Sequence, residues 1–195
     1  MHELLSKNLF LVKEHVGMFK AANNYDVYDP ETGSIIMECR EPKLGFFTKL
    51  LRFTDYKRNT PFDLHLTDTS GRPILRITRG VPFFLSRVKV FDADGQEVGG
   101  FKQKLFSLGG AFDVLDRDDS VLCSLKGKWT GWEFKFLAGD TEFARVTKKW
   151  AGTGKELFTS ADNYVLEISD IVAADSRVRV LILAAVMCID MVLKE

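Results

Sequence analysis

The sequence DSRVRVLILAAVMCIDMVLKE, residues 175–195, decides the fold of this chain. Its central ten residues, Val180 to Ile189, carry no charge and no strongly polar group, with Arg179 before them and Asp190 after them. A helix that is apolar on all sides is typical either of a membrane span or of a position enclosed by protein. A bilayer core needs about 20 predominantly apolar residues. The short uncharged run therefore favours a buried core helix over a membrane span.

The predicted helix covers residues 176–193, about 27 Å at 1.5 Å per residue. A closed barrel of about twelve strands is wide enough to hold a helix along its axis. We expect the following residues to form the buried face of this helix: Val180, Leu181, Leu183, Val186 and Ile189.

The chain before this helix is a series of short strands separated by turn sequences. Turns begin near Asp68, Asp92, Asp116 and Asp140, a spacing of 24 residues. Two strands and one tight turn fill that spacing, so each period predicts one β-hairpin. The connections are too short for parallel crossovers, which favours an antiparallel meander. A long sheet of this kind closes on itself and loses its free edges.

The predicted fold is therefore mainly β. It is an antiparallel closed barrel of about twelve strands, wrapped around a buried hydrophobic C-terminal helix, with residues 1–195 forming a single domain.

Composition limits the classes of partner and the cellular setting. Lys and Arg together number 27, as do Asp and Glu, so no overall positive field favours nucleic acid. The three cysteines, Cys39, Cys123 and Cys188, form no CxxC pair and predict free thiols in a reducing compartment. The N-terminal sequence lacks the apolar core of a signal peptide. We expect a cytoplasmic protein that can also lie peripherally at the inner face of the membrane.

Two segments interrupt the strand pattern and carry clustered cations. Residues 41–58, EPKLGFFTKLLRFTDYKR, place basic side chains among Phe and Leu at near-helical spacing. They fit either a helix that caps one barrel mouth or a surface that binds anionic lipid. A second basic group flanks Trp150. The candidate lipid- or anion-binding residues are Lys43, Lys49, Arg52, Lys57, Arg58, Lys148, Lys149 and Lys155.

Several stretches of the chain resemble the phospholipid scramblases. They are Tyr25-Asp-Val-Tyr28, Arg58-Asn-Thr-Pro-Phe62, Asp94-Gly-Gln-Glu-Val98, Lys149-Trp150-Ala-Gly, Phe158-Thr159-Ser-Ala-Asp162-Asn163-Tyr164 and Ala184-Ala-Val-Met-Cys-Ile-Asp190-Met. The resemblance implies the twelve-stranded barrel shared with the LURP-one-related and Tubby C-terminal proteins. It also implies a membrane phospholipid as partner.

The resemblance further implies a calcium segment just before the helix, with Asp162 and Asp170 as the candidate ligands. Here the first acidic position of the family is Ser160, and Asp170 falls one place early. Calcium requires six to eight oxygen ligands on a loop, whereas residues 164–168 alternate as a strand does. A turn followed by a strand is the competing interpretation. The cysteine cluster that can be palmitoylated in animal scramblases is also missing, and Cys123 stands alone in the middle strands.

No catalytic motif accompanies these features. The three histidines are far apart and form no metal-binding pattern such as HExxH, and the Asp pairs near residues 92 and 116 lie at turn positions. The sequence favours a non-catalytic barrel protein without a cofactor that binds membrane phospholipid or another anionic ligand. Phospholipid scrambling is one alternative, and a soluble scaffold or small-ligand-binding barrel is another. The oligomeric state is not indicated.

Overall fold

The computed structural model describes residues 2–15, 24–42, 60–80, 87–103, 111–128, 132–148 and 163–193, without the side chains of residues 128 and 190–193. After a 3₁₀ turn at Glu3–Ser6, the elements in chain order are β1 (Leu9–Glu14), β2 (Tyr25–Tyr28), β3 (Ile35–Arg40), β4 (Phe62–Asp68), β5 (Pro73–Arg79), β6 (Arg87–Asp92), β7 (Glu97–Gln103), β8 (Ala111–Asp116), β9 (Val121–Lys128), β10 (Glu133–Ala138), β11 (Thr141–Thr147), β12 (Asn163–Ile168) and helix α1 (Arg177–Leu193).

The twelve strands form a closed antiparallel barrel in which each strand pairs with its neighbours in sequence. The ring closes between the first strand and the last, where Leu9 lies opposite Glu167 and Lys13 lies opposite Asn163. The predicted meander and its closure are confirmed. Closure leaves no free strand edge along the ring, which removes the sites at which sheets aggregate.

Strand alternation directs one face of the sheet into the barrel. In β4, Phe62, Leu64 and Leu66 are buried, while the side chains between them are partly exposed. Successive strand residues point to opposite faces. An apolar residue at every second position therefore produces an apolar interior and a polar outer wall.

Helix α1 lies inside this apolar interior. All ten residues from Val180 to Ile189 are buried, with no side chain more than 6% exposed. The helix contacts β5, β7, β8 and β12, which lie on different sides of the ring. Ser176 caps its first turn, because the hydroxyl accepts a hydrogen bond from the Val178 N–H at 3.2 Å. The predicted barrel with a buried axial helix is therefore confirmed. Among the described residues, no helix is both long enough and apolar enough to cross a bilayer.

The two ends of the barrel differ. We call the end at which α1 begins the proximal end and the opposite end the distal end. Tight turns join the strands at the proximal end, over residues 29–34, 69–72, 93–96, 117–120 and 139–140. The distal strand ends flank the other connections, which include residues 16–23, 43–59, 81–86, 104–110, 129–131 and 149–162.

Aspartates build the proximal turns. The Asp68 carboxylate accepts hydrogen bonds from the Ser70 and Arg72 N–H groups, both at 2.9 Å. Asp92 and Asp116 repeat this pattern with the residues two and four positions later. The Ser70 hydroxyl, followed by the Arg72 backbone and side chain, holds the pKa of Asp68 far below its usual range. These carboxylates therefore stabilise the turns through hydrogen bonds to the backbone, as their spacing predicts.

The three cysteines are free and buried. Burial raises the pKa of Cys188 to about 12 and that of Cys123, which also lies near Asp113, to about 12. Burial likewise raises the pKa of Cys39. A thiol with so high a pKa carries almost no nucleophilic thiolate at neutral pH.

Candidate functional site

The strands that flank both predicted basic segments end at the distal end of the barrel. One segment connects Arg40 of β3 to Phe62 of β4, and the other connects Thr147 of β11 to Asn163 of β12. Lys148 is the first residue of the second segment and lies within the described part of the chain. The remaining candidates lie outside the described residues: Lys43, Lys49, Arg52, Lys57, Arg58, Lys149, Lys155 and Asp162.

Lys148 packs against two neighbouring aromatic rings at the distal rim. Its Nζ lies 3.2 Å from the centroid of the Trp132 ring and 5.2 Å from that of Tyr164. The two ring centroids are 5.7 Å apart, with an interplanar angle of 34°. Cations at these distances are attracted by the negative faces of aromatic rings. We call Trp132, Lys148 and Tyr164 the rim cluster.

Strand register explains why these three side chains meet. Val146 of β11 lies opposite Phe134 on one side and Leu166 on the other. Residues two positions apart on a strand face the same side. Lys148, two residues after Val146, therefore also faces inward and lies opposite Trp132 on one side and Tyr164 on the other. Lys148 therefore occupies an inward-facing position of the barrel, where the preceding inward residues of β11, Ala144 and Val146, are apolar and buried.

Trp132 adopts a backbone conformation that is rare for a bulky residue. Its φ is 48°, in the left-handed region. The ring also packs edge to face against Phe134, with centroids 6.5 Å apart. Strained backbone of this kind persists only where surrounding contacts hold it, and it is frequent at ligand-binding positions.

A second polar group lies close by at the distal end. Asp26 is buried, and its carboxylate contacts His15 Nε2 at 2.6 Å and an Arg40 terminal nitrogen at 2.5 Å. Arg40 also donates to the Tyr25 carbonyl at 2.6 Å. This network joins the ends of β1, β2 and β3, and it satisfies a carboxylate that would otherwise be costly to bury.

At the proximal end, Arg179 fixes the start of α1. Its guanidinium is buried and donates to the carbonyls of Val172, Ala173 and Lys7 at 2.8–3.0 Å and to the Asn8 side-chain oxygen at 2.5 Å. Burial lowers the pKa of Arg179, and Asp170 opposes that shift. The hydrogen bonds replace the hydration that the buried cation loses.

Comparison with known proteins identifies the family. The family model described as "Scramblase" matches residues 5–195. The chain belongs to the scramblase family. Human phospholipid scramblase 2 is 24% identical to this scramblase-family chain over 125 residues, which are 56% of this chain and 42% of that protein. The chain thus spans less than half the length of that curated relative. A protein of Arabidopsis thaliana with a known X-ray structure aligns over 95% of this chain and 89% of its own, at 15% identity and a TM-score of 0.48.

The calcium segment expected for a scramblase-family protein is divided by β12. Asp170 follows β12 at the proximal end and accepts a hydrogen bond from the Asn8 amide, so it supports the Arg179 contacts. Asp162 precedes β12, which spans roughly 20 Å at 3.3 Å per residue. Among the described residues, no cluster of three or more His, Cys, Asp or Glu side chains could hold a metal ion. Calcium binding stays a prediction.

A cavity of about 300 Å³ opens beside the start of α1 at the proximal end. Its apolar part is formed by Leu5, Ile74, Val98 and Val180. Arg177, Asp92 and Asp94 contribute charges of both signs to its lining. Cavities that hold small ligands begin at about this volume.

The rim cluster was not predicted as a unit. Lys148 was predicted as part of a basic surface, but its inward position was not. A signal for it exists in the sequence, because a lysine two residues after the buried Val146 continues the inward alternation of β11. The anchoring role of Arg179 was also missed, since its acceptors include backbone groups about 170 residues away.

Proposed function

We propose that this chain is a non-catalytic barrel protein that binds anionic phospholipid at a membrane surface through the basic segments at its distal end. Membership of the scramblase family supports a lipid-related role. The proposal concerns a peripheral contact, in which the barrel stays closed and folded while one end faces the lipid headgroups.

One observation carries this proposal. The strands that flank residues 43–59 and those that flank residues 149–162 end at the same end of the barrel. Cations from both segments could therefore face one membrane plane. The formal net charge of the chain is zero, so attraction to an anionic surface depends on local charge of this kind. Each Lys or Arg near an anionic leaflet contributes about 1 kcal/mol.

Lipid scrambling by insertion of α1 is the alternative that the structure disfavours. Residues 180–189 are enclosed by the barrel wall. Insertion of the helix into a bilayer would require the ring to open and its apolar inner face to meet water. A folded domain is stable by only about 5–15 kcal/mol. The free-energy cost of exposing the apolar inner face would exceed that stability, so opening the ring would unfold the domain.

Small-ligand binding is a second candidate. The proximal cavity beside α1 favours it, because an apolar wall with a few polar groups at its edge is typical of small-ligand sites. It ranks second because the cavity is at the lower limit of volume for such sites.

Vesicle co-sedimentation tests the proposed function. We expect the chain to bind vesicles that contain phosphatidylserine, to release as ionic strength rises, and to bind neutral vesicles much more weakly. Replacing Lys49 and Arg52 by Gln should weaken binding roughly tenfold or more, as expected for two cations near the surface.

A matched control removes two charges at the other end. Arg117 and Arg177 lie at the proximal end, and both are exposed. Their replacement by Gln changes the net charge equally and should leave vesicle binding nearly unchanged. Equal loss in the two double variants would reject a distal membrane contact, and absence of binding at low salt would reject the function itself.

A further inference from the structure

We propose that the proximal cavity beside α1 binds a small zwitterion with an apolar side group, the chemical class of a hydrophobic α-amino acid. The cavity lies at the end of the barrel opposite the basic segments, so this site is separate from the phospholipid contact. The inference rests on the second candidate function, small-ligand binding, because it names the class of ligand that the cavity takes.

The first step is the apolar floor of the cavity. Leu5, Ile74, Val98 and Val180 line it, and each of these residues is at most 9% exposed. They belong to the N-terminal 3₁₀ turn, to β5, to β7 and to α1. Because four separate elements hold these side chains, the floor is a fixed part of the fold. A volume of about 300 Å³ is at the lower limit for drug-sized ligands, and a single amino acid is smaller than those.

The second step identifies the polar groups of the lining that already have partners. The Asp92 carboxylate accepts hydrogen bonds from the Asp94 and Gln96 N–H groups at 3.0 and 2.9 Å, so it belongs to its turn. His2 directs its Nε2 atom toward the Asp68 carboxylate, 3.4 Å away. Both side chains are therefore engaged by the protein itself.

Asp94 and Arg177 are the two remaining charged side chains of the lining, and both are exposed. Within the described part of the chain, neither the Asp94 carboxylate nor the Arg177 guanidinium has an ion-pair or hydrogen-bond partner. Asp94 lies on the turn between β6 and β7, and Arg177 is the first residue of α1. The cavity thus presents one carboxylate and one guanidinium, from different elements, beside an apolar floor.

The third step follows from the signs of these charges. A simple anion would be attracted by Arg177 but repelled by two aspartates, and a simple cation would be repelled by Arg177. A neutral ligand that covers the edge would remove water from both charges and give them no partner in return. A zwitterion supplies a carboxylate for the guanidinium and an ammonium for the Asp94 carboxylate, and both contacts are charge-assisted hydrogen bonds. Its apolar group then lies on the floor.

The experiment follows the binding of leucine to the full chain in NMR spectra, through the methyl resonances of Val98 and Val180. Three analogues of leucine remove its charges. N-acetyl-leucine lacks the ammonium, leucinamide lacks the carboxylate, and N-acetyl-leucinamide lacks both. We expect leucine to bind about tenfold more tightly than either singly charged analogue, because each of those loses one charge-assisted hydrogen bond.

Two variants assign each ligand charge to a residue. Asp94→Asn keeps a residue that suits the turn and should abolish the preference for leucine over N-acetyl-leucine, while the preference over leucinamide stays. Arg177→Gln should do the reverse. Asp118→Asn is the matched control, because Asp118 donates its N–H to Asp116 as Asp94 does to Asp92 but does not line the cavity. The control should bind all the compounds as the wild type does.

Leucine that leaves the two methyl resonances unchanged, or that shifts methyl resonances throughout the barrel alike, would overturn the inference. A preference that persists in Asp94→Asn, or that Asp118→Asn also loses, would overturn it as well. If N-acetyl-leucinamide binds as tightly as leucine, the zwitterionic class is wrong while the cavity stays a small-ligand site. No vesicles are present in these measurements, so the phospholipid proposal stands or fails independently.

Discussion

At Gly99 the barrel wall approaches α1 closely. The residue lies beside the bulge at which β7 shifts register against β6, and its φ is 149°. A Cβ at this position would lie 2.2 Å from the Leu115 carbonyl oxygen and 3.1 Å from a methyl group of Leu181. Only glycine fits between a neighbouring strand and the axial helix here.

Gly99→Ala is therefore expected to destabilise the fold by about 2–4 kcal/mol, since the backbone oxygen it meets cannot move aside cheaply. Gly80→Ala is the matched control, because a Cβ there meets nothing within 4 Å. The control should be neutral or stabilising by up to about 1 kcal/mol. Urea unfolding followed by circular dichroism measures both changes, and similar stabilities for the two variants would contradict this account.

The sequence indicates a strand at Gly99 but not its close contact. The hairpin pattern predicts a strand after the turn near Asp92, and β7 forms there as Glu97–Gln103. The need for glycine depends on Leu115 and Leu181, which belong to other elements. Trp132 is similar, because its role depends on Lys148 and on Tyr164 of another strand. Contacts of this kind come from register and not from local sequence pattern.

At the scale of elements, α1 is held by its first turn as well as by its apolar surface. Arg179 crosses from the helix to the chain before β1 and to the segment after β12. The same guanidinium thus connects the two strands between which the ring closes. The anchor therefore fixes the start of the helix against the strand ends at the proximal end of the barrel.

Arg179→Met should cost about 3 kcal/mol, since it leaves several buried carbonyl oxygens without a donor. Arg177→Met is the control two residues earlier on the same helix, where the side chain is exposed. That change should stay within about 0.5 kcal/mol. Thermal unfolding compares the two, and an equal effect would show that charge near the helix start matters more than the buried hydrogen bonds.

Most elements are predictable because their patterns are local. Asp-containing turns at 24-residue spacing predict the hairpins, and the turns at Asp68, Asp92 and Asp116 use their carboxylates alike. The Asp140 turn differs, since it is the two-residue turn Gly139–Asp140 with Gly139 at φ 60°. A local pattern predicts where the chain reverses, whereas the number of turn residues depends on the register of the strands it joins.

At the scale of the molecule, the axial helix completes the core. The seven Val, Leu, Ile and Met residues between Val180 and Ile189 are buried. Burial of such side chains contributes about 1.5–3 kcal/mol each. Their sum, on the order of 10–20 kcal/mol, is comparable to the entire stability of a domain, about 5–15 kcal/mol.

A chain that ends at Ser176 should therefore fail to fold, not merely lose a membrane contact. We expect no cooperative thermal transition, and strong binding of a dye that reports exposed apolar surface. A chain that ends at Leu193 is the control and should unfold cooperatively. A folded barrel without α1 would show that the ring is stable without its axis.

The overall architecture was predictable because one apolar helix follows many hairpins, and few folds accommodate both. The candidate site was predictable only as two basic segments. Their common end follows from counting strands between Arg40 and Thr147, but the rim cluster requires the register of three strands.

The pairing of Leu9 with Glu167 also sets an order of events during biosynthesis. β1 cannot complete its pairing until β12 has been made, since β12 is among the final parts of the barrel to leave the ribosome. Until then the nascent hairpins expose apolar faces that nothing covers, and contacts so distant in sequence form slowly. The barrel therefore closes only after β12 has been synthesised, and the hairpins made before it are at risk of aggregation until then.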